Sequence, residues 1–523
     1  MKKLLNAKAL MLLLMVALAF GLTQCKKKNI DTITSATPIG KPVYINLYIN
    51  NVGKHIVYPN TGIVEYSEGD KLYVGNDGKY IGMLTYHDGK FGGTIYGPQT
   101  TDYLHLYFVG GLEPGDITPD EDLLTVGETT SFNVDISDQS SNLPVLSYNH
   151  STQKYTEGLT TYGCMLLNKC GLVKFTLTNG TSEAVKVTGM KTGATINFAD
   201  PSNPIVANGT KDAITLNSES ATEKWAILLP QDAVSDGLAM INGNAYSCDV
   251  AAVENNSYIT TNTIDNTTPS TDKVFTVSKN GNVVRFSLGN LQYNQTTRQY
   301  SFMEHQYDMV ETENQHVGDN YSEQNIVSLF GWGTGDNPTM TSENALDYEV
   351  FKDWGDYCGD PTGHSYHWYT LSEDELVWLI GKKYDLNPGV NCREGNRFLN
   401  GKITIDKKSC YGLIIFPDGY DGTIGSYTNN NYDSRIDVTA DDWSAMEAAG
   451  AVFLPAAGER GGPDVCKNYE NIGNYWSSTP YLNHPFDYNQ VYFLRIADGF
   501  YPSAVGPNAS AYSFSGHSVR LVR

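Results

Sequence analysis

The residues to weigh first for chemistry are His364 and His367, because two imidazoles three positions apart can share a zinc ion. No H-E-x-x-H pattern and no nearby third ligand accompany them. The glycines of "GWGTG", residues 331–335, miss the spacing of a dinucleotide-binding loop. We therefore expect no catalytic residue, no metal and no cofactor at these motifs, and we expect the histidines on an exposed loop.

Cysteine chemistry is a second possibility. Seven cysteines follow Cys25, and they include no C-x-x-C pair, which argues against zinc ribbons and thioredoxin-like motifs. Burial as small hydrophobic side chains is the ordinary interpretation. A redox-active pair of Cys392 and Cys410 would instead point to an enzyme. Asp418 and Asp421 in "PDGYDG" offer calcium ligands, although such loops are more often plain turns.

Aromatic side chains in loops are a third possibility, because their faces stack on sugar rings or anchor protein partners. Packing in the core is the competing interpretation of such residues. The candidates for ligand binding lie between residues 330 and 370 and are Trp332, Trp354, Tyr357, Tyr366 and Trp368.

The N-terminus predicts export. Two early lysines precede an apolar run at residues 9–22 that is too short to span a bilayer, so residues 1–24 are typical of a signal peptide. The following "GLTQCKKK" predicts a lipobox in which Cys25 is acylated, for example with palmitate, and becomes the first mature residue. Gln24 departs from the small residue preferred there. Cleavage after Ala17-Leu18-Ala19, which would give a soluble secreted protein, is the alternative.

The overall charge excludes one class of partner. Lys and Arg number 36 against 58 Asp and Glu, for a formal net charge of −22. Because phosphate binding needs a basic surface, nucleic acid and anionic lipid surfaces are not expected partners. With 35 Tyr and 50 Gly but only 18% charged residues, the composition is typical of an extracellular β-rich protein.

Alternation of apolar and polar residues predicts strands through the first half of the chain. In "PVYINLYINN" every second residue is apolar, and Asp77-Gly78 and Asp88-Gly89 fall between strand-like runs as hairpin turns. The predicted units are a tether at residues 25–42 and two antiparallel β-sandwiches at residues 43–155 and 160–264. A linker at residues 265–273 and a third domain at residues 274–523 follow.

The third domain is predicted to be α+β. Ser372 and Glu375 form a capping box ahead of one apolar helical face, and Thr439 and Asp442 form another. Gly450 is placed to end the second helix in the left-handed conformation.

Three features of the first half resemble the fimbrillin family, whose lipoprotein subunits carry two transthyretin-like β-sandwiches. They are Cys25, "EGDKLYV" at residues 68–74, and "WAILLPQD" at residues 225–232 followed by "INGNAYSCDV". The likeness covers roughly residues 25–265. Stalk fimbrillins are matured by an arginine-specific protease, whereas the first arginine of this chain is Arg285. The resemblance therefore favours an anchored, accessory or tip subunit.

Six ordered motifs of the third domain resemble a C-type-lectin-like domain of bacterial surface lipoproteins, related to the formylglycine-generating-enzyme fold. They are "VVRFSLGNLQY", "LFGWGTGDNP", "WYTLSEDELVWLI", "AMEAAGAVFLPAAGERGG", "GNYWSSTPY" and "GHSVRLVR". The resemblance implies that Trp476 is scaffolding and that the final segment pairs beside the first strand. The reactive cysteine pair of the enzymes and the calcium triplets E-P-N, Q-P-D and W-N-D of true lectins are missing.

Together these features predict a mainly β, non-enzymatic lipoprotein of the outer membrane, at the cell surface or in a fimbria. We expect a fimbrial accessory or tip adhesin whose lectin-like domain binds a glycan or a surface protein, with other fimbrial subunits as further partners. The alternatives are a structural fimbrial or envelope component without a ligand and, last, an enzyme on the lectin-like fold.

Overall fold

A computed structural model describes residues 40–49, 66–97, 103–112, 115–119, 123–149, 153–155, 160–270, 273–309, 326–364, 366–380, 398–405, 408–420, 436–462, 472–481, 490–497 and 506–523. The signal peptide, Cys25 and most of the tether lie outside these residues. None of the helices within them is long and apolar enough to cross a membrane.

Strands dominate the N-terminal region, residues 40–270. In chain order they are β1 Pro42–Ile49, β2 Lys71–Asn76, β3 Lys79–His87, β4 Lys90–Tyr96, β5 Tyr103–Gly110, β6 Ile117–Thr118, β7 Ser131–Asp135, β8 Val145–Asn149, β9 Gln153–Lys154, β10 Thr160–Cys164, β11 Leu166–Asn168, β12 Gly171–Leu177, β13 Val185–Lys191, β14 Gly193–Asn197, β15 Ile205–Ala207, β16 Lys211–Thr215, β17 Asn217–Ser218, β18 Glu223–Leu228, β19 Leu238–Ile241, β20 Asn244–Ser247 and β21 Tyr258–Ile264.

The first sheet follows from alternation and hairpin chemistry. In β1, Ile45 and Leu47 are fully buried while Tyr44 is 58% exposed. Asp77 and Gly78 adopt φ values of 50° and 75° between β2 and β3, as a tight hairpin requires. The strand order is β10-β1-β4-β3-β2-β5-β8-β11, with β9 beside β5. One residue separates β10, at one edge of this sheet, from β11, at the other edge, so the two edges approach each other there.

A second layer covers this sheet and crosses the predicted boundary near residue 160. Strands β14 and β15 at residues 193–207 pair with β7 in the order β15-β14-β7-β6. Ile196 and Phe198 pack in the same core as Phe132. The first unit therefore takes in residues from beyond its predicted range, because β14 buries its apolar face there.

The remaining strands form a second sandwich of two sheets, β17-β18-β12-β21 and β16-β13-β19-β20. Phe175 from one sheet and Val187 from the other meet in its core. Asn242 and Gly243, at φ values of 47° and 77°, turn the hairpin of β19 and β20 as expected. Pairs β1–β10 and β12–β21 are parallel, so the layers are not purely antiparallel.

The C-terminal region, residues 273–523, contains shorter strands and helices. Its strands are β22 Phe275–Thr276, β23 Val283–Val284, β24 Leu291–Asn294, β25 Gln299–Phe302, β26 Ile326–Val327, β27 Phe398–Ile405, β28 Lys408–Ile415, β29 Ile436–Val438, β30 Val452–Pro455, β31 Arg460–Gly461, β32 Ile472–Pro480, β33 Gln490–Ala497, β34 Gly506–Tyr512 and β35 Ser515–Gly516. The α-helices are α1 Trp354–Tyr357, α2 Glu373–Ile380 and α3 Ala440–Ala448, and a 3-10 helix spans Ala345–Tyr348.

The predicted capping box of Ser372 and Glu375 is present, and Thr439 caps the second helix without the reciprocal backbone bond of a full box. The backbone N–H of Glu375 donates to Ser372 Oγ, and the Ser372 N–H donates back to Glu375 Oε2 at 2.8 Å. Thr439 Oγ1 accepts from the Asp442 N–H at the start of α3. Gly450, at a φ of 95°, follows the end of α3 as predicted. The expectation of a mainly β chain with helices in the C-terminal region is therefore confirmed.

The C-terminal region packs on the second sandwich. The tip of the β22–β23 hairpin accepts a hydrogen bond from Lys186 Nζ at Asn280 O, and Asn282 Oδ1 accepts one from the Gly189 N–H at 2.9 Å. An apolar cluster of Leu238, Ala245, Val274 and Val283 joins the two sides. Polar and apolar contacts thus hold together two units that the sequence joins by a predicted linker.

Candidate functional site

Three of the five predicted aromatic residues lie inside the core. Trp332, Trp354 and Trp368 are 4%, 0% and 3% exposed and share one apolar cluster with Trp476. Burial leaves their ring faces unavailable to a ligand in this structure, because neighbouring side chains cover them. Tyr357 is 47% exposed, and Tyr366 is half-buried.

The "GNYWSST" stretch is scaffolding, as expected. It lies in β32 of the β32-β33-β34 sheet, and Trp476 donates from its indole Nε1 to Phe330 O at 2.6 Å. The ring of His517 lies 4.0 Å from that of Trp476, between centroids. Burial and the nearby Arg460 lower the pKa of His517 to about 3, so its imidazole is neutral in the core.

The final segment lies beside the beginning of the C-terminal region, as the lectin-like resemblance implied. Phe286 and Val522 form an antiparallel bridge. The N–H of Arg285 donates to Arg523 O at 2.9 Å, and the N–H of Arg523 donates to Arg285 O at the same distance. This pairing brings the Arg523 side chain to the loop of residues 353–370. From Tyr357 onward, this loop carries three of the predicted aromatic residues.

Two carboxylates organise that loop. Asp353 caps α1 through the Gly355 N–H and accepts from the Thr370 N–H at 2.8 Å, which ties the two ends of the loop together. Asp360 accepts at Oδ2 from the N–H groups of His364 and Tyr366, at 2.7 and 2.9 Å. The backbone before Tyr366 is therefore fixed by a single side chain.

Asp360 also holds a core residue. Its Oδ1 accepts from the indole Nε1 of Trp368 at 3.0 Å and from Thr362 Oγ1 at 2.6 Å. Partial burial raises the pKa of Asp360, but the hydrogen bonds from Thr362, Tyr366 and Trp368 outweigh it and hold the pKa well below its usual range. Asp360 is thus ionised and fully engaged.

Tyr366 is the predicted aromatic residue that this loop places at an opening between the two regions. The guanidinium carbon of Arg523 lies 3.5 Å from the centroid of the Tyr366 ring, a cation–π contact. Arg523 also forms an ion pair with Asp236 of the second sandwich, which pairs with Arg285 Nη1 at 2.9 Å. Asp236 itself has a φ of 61° in the turn before β19.

A cavity of about 340 Å³ lies at this opening, within the size range of small-molecule sites. We call it the junction cleft. Its second-sandwich wall includes Lys191, Lys211 and residues 231–238, and its C-terminal wall includes Arg285, Tyr366, His367, Tyr369 and Arg523. Aromatic faces, cationic groups and backbone polar groups converge here, which is the mixture that orients a small ligand.

The sequence did not indicate Arg523, Asp236, Lys191 or Lys211. Lys191 and Lys211 lie in strands, Asp236 lies in a turn, and Arg523 ends the motif "GHSVRLVR" without having been a predicted binding residue. Only the packing of the two regions brings them to one cavity with Tyr366. The one available signal was local: Asp353 and Asp360 occur in a Gly- and aromatic-rich loop, where carboxylates often accept backbone hydrogen bonds.

The histidines and aspartates that the sequence offers as candidate metal ligands lie apart from the cleft or outside the described residues, except for His367. His364 and His367 are exposed, and His367 Nε2 lies 3.8 Å from Asp356 Oδ1. Among the described residues, the metal-spaced group of His and carboxylate side chains is Glu68, His87 and Asp88, all exposed. Asp418 binds the Thr276 N–H at 2.8 Å, and Asp421 lies outside the described residues.

The described cysteines are buried or half-buried like core residues, and several have the raised pKa that disfavours a nucleophile. Cys164, Cys170 and Cys248 are buried free thiols, and Cys358 is a half-buried one. Burial raises the pKa of Cys164 to about 11 and that of Cys358 to about 12, which disfavours the reactive thiolate. Cys410 is buried with its sulfur 3.8 Å from Met309 Sδ, while Cys392 lies outside the described residues.

Comparison with known proteins gives partial likenesses to solved structures. A candidate cell adhesion protein of Bacteroides uniformis is 17% identical and matches over 44% of this chain and 96% of its own, with a TM-score of 0.30. A second candidate cell adhesion protein, from Bacteroides ovatus, is 14% identical over 45% and 95% of the two chains, with a TM-score of 0.29.

The tip fimbrial protein Mfa3 of Porphyromonas gingivalis, truncated at its C-terminus, is 9% identical over 41% of this chain and 80% of its own, with a TM-score of 0.23. At these scores the likenesses carry no argument about the function of the chain. No protein-family model matches the sequence. No curated protein matches it either.

Proposed function

We propose that the protein is a non-enzymatic, lipid-anchored adhesin of the outer membrane or of a fimbria, and that it holds a glycan or a protein segment in the junction cleft. The observation that carries this proposal is the cleft itself. It is the place where the predicted aromatic loop, through Tyr366, reaches open space beside a second rigid unit. The signal sequence and Cys25 support export and anchoring.

Binding suits the cleft better than catalysis. Arg523, Arg285 and Asp236 hold one another in place in the cleft wall, and Asp360 fixes the loop that carries Tyr366, so this arrangement is suited to positioning a ligand. A rigid site of this kind also lowers the entropic cost of capturing a ligand. The lectin-like resemblance of the C-terminal motifs agrees with a binding role.

The location is tested first. Cells carrying a tagged copy are sheared, and the released filaments are compared with washed outer membrane by immunoblotting without boiling. A high-mass ladder in the filament fraction supports a fimbrial subunit. A single membrane band rules out the fimbrial part of the proposal and leaves an anchored binding protein.

The ligand is tested on a glycan array with the full-length protein in detergent. Tyr366→Ala removes the aromatic face at the cleft, and Tyr44→Ala removes a more exposed tyrosine from the first sheet, away from the cleft, as a control. Binding that Tyr366→Ala abolishes and Tyr44→Ala leaves unchanged supports the cleft. Binding that survives Tyr366→Ala places the ligand elsewhere, and the absence of any ligand favours the structural-component alternative.

A further inference from the structure

Two lysines of the junction cleft lie opposite each other on neighbouring strands. Lys191 in β13 and Lys211 in β16 are direct partners in the antiparallel register. Like charges directly opposite each other destabilise a β pair. The chain has 58 acidic residues against 36 basic ones, so acidic neighbours are readily available to it.

Other lysines of the same sandwich are neutralised or bonded in the usual way. Lys174 forms an ion pair with Glu223, and Lys186 donates to Asn280 O. Within the part of the chain that the structure describes, no carboxylate lies at ion-pair distance from Lys191 or Lys211. Lys191 and Lys211 differ from these neighbours in lying directly opposite each other, and both line the cleft.

The surroundings leave donor capacity on both ammonium groups. Lys191 Nζ donates to Pro230 O at 3.3 Å, and Lys211 Nζ lies 5.8 Å from the centroid of the Tyr369 ring. Each ammonium carries three donors, so at least two on each remain for a ligand. Tyr369 offers an aromatic wall beside them.

Nearby acidic groups do not cancel this charge. Asp236 is engaged by Arg285 and Arg523, and Asp232 is exposed at the rim. Partial desolvation and the charge of Lys191 lower the pKa of Lys211, and they outweigh the opposite effect of Asp356, Glu375 and Asp353. An anion between the two lysines would relieve their repulsion.

We propose that this end of the junction cleft is an anion subsite, in which Lys191 and Lys211 bind the carboxylate or sulfate group of an acidic sugar while Tyr369 and Tyr366 flank its ring. The proposal rests on the proposed function in taking the cleft as the binding site. It adds the chemical class of the ligand. Neutral sugars would lack the group that the two ammonium ions select.

The test uses two probes with the same ring, D-glucuronate and D-glucose, titrated into the full-length protein in detergent by calorimetry. Lys191→Met and Lys211→Met remove the charges and keep a long unbranched side chain, and Lys211→Arg keeps the charge. Lys41→Met removes an exposed lysine just before β1 as a control. Each titration is repeated at low and at high salt, with inorganic sulfate as a competitor.

We expect glucuronate to bind at least about tenfold more tightly than glucose, a difference of about 1.4 kcal/mol, because charge-assisted hydrogen bonds to its carboxylate are stronger than those to a neutral hydroxyl. Either methionine variant should remove that preference, while Lys211→Arg and Lys41→Met retain it. High salt and sulfate should both weaken glucuronate binding.

Equal binding of glucose and glucuronate, unaffected by the methionine variants, would overturn the anion subsite and leave the cleft as a site for neutral ligands. Failure of both glucuronate and sulfate to bind would also overturn it. The glycan array and the fractionation experiment test the proposed function separately. Neither experiment uses the lysine variants, and neither depends on acidic sugars as the only ligands.

Discussion

Arg523 lies over the ring of Tyr366, with its guanidinium carbon 3.5 Å from the ring centroid, and its Nη1 forms an ion pair with Asp236. Three parts of the chain meet at this contact: the final segment, the aromatic loop and the second sandwich. The wall of the junction cleft therefore depends on a residue with no conspicuous sequence signal.

Loss of this contact should loosen the C-terminal region. Arg523→Ala removes the cation–π contact and one partner of Asp236, and we expect the unfolding free energy to fall by about 1–3 kcal/mol. Arg523→Lys should recover only part of the loss, because an ammonium cannot lie flat on the ring. The measurement is calorimetric unfolding, with the exposed Arg495→Ala as the control. Equal midpoints for both alanine variants would contradict the contact's role.

Asp360 should control the order of the loop that presents Tyr366. In Asp360→Asn, an NH2 group replaces one carboxylate oxygen. Its N–H donors then face N–H donors of the loop, at a cost of about 1–3 kcal/mol in local stability. We expect faster hydrogen exchange at the His364 and Tyr366 amides and little change in β13. Asp374→Asn, on the first turn of α2, is the matched control. Unchanged exchange at Tyr366 would show that the loop is held by other contacts.

His517 should make the C-terminal region sensitive to acid. Its folded pKa of about 3 lies below the usual value of 6.5, so the unfolded chain binds more protons between these values. The contribution of neutral His517 to the free energy of unfolding is therefore complete above about pH 6.5. It falls by up to about 1.4 kcal/mol per pH unit as the pH drops toward 3.

His517→Phe keeps a ring beside Trp476 and removes this titration. The stability curve of this variant should be flatter between pH 6.5 and 4, whereas His364→Phe on the exposed loop should leave the slope unchanged. The check is the unfolding midpoint as a function of pH. A parallel curve for His517→Phe would mean that other groups cause the acid sensitivity.

Gly355 should be intolerant of any side chain. A Cβ there would lie 1.8 Å from Trp368 O, so the first turn of α1 and the loop backbone at Trp368 would have to move apart. We expect Gly355→Ala to destabilise the C-terminal region by several times the roughly 1 kcal/mol of Gly363→Ala. Gly363 has a φ of 78° but nothing within 4 Å of an added Cβ. Similar unfolding midpoints for the two variants would contradict this close approach.

Local patterns predicted the elements because their causes are local. The turns at Asp77-Gly78 and Asn242-Gly243 need positive φ values, and the capping box of Ser372 and Glu375 joins residues three apart. Alternation in β1 predicted which side chains are buried, since successive residues of a strand face opposite sides.

The sequence by itself therefore determined a mainly β chain, with helices in its last part and an aromatic loop between residues 330 and 370. Only the tertiary structure decided that three tryptophans of that loop turn inward while Tyr366 turns toward the cleft. The same holds for β14, which pairs with β7, and for Lys191, Lys211 and Asp236. Which strands pair and which faces meet depends on long-range packing of apolar surface. Patterns among neighbouring residues in the sequence do not specify that packing.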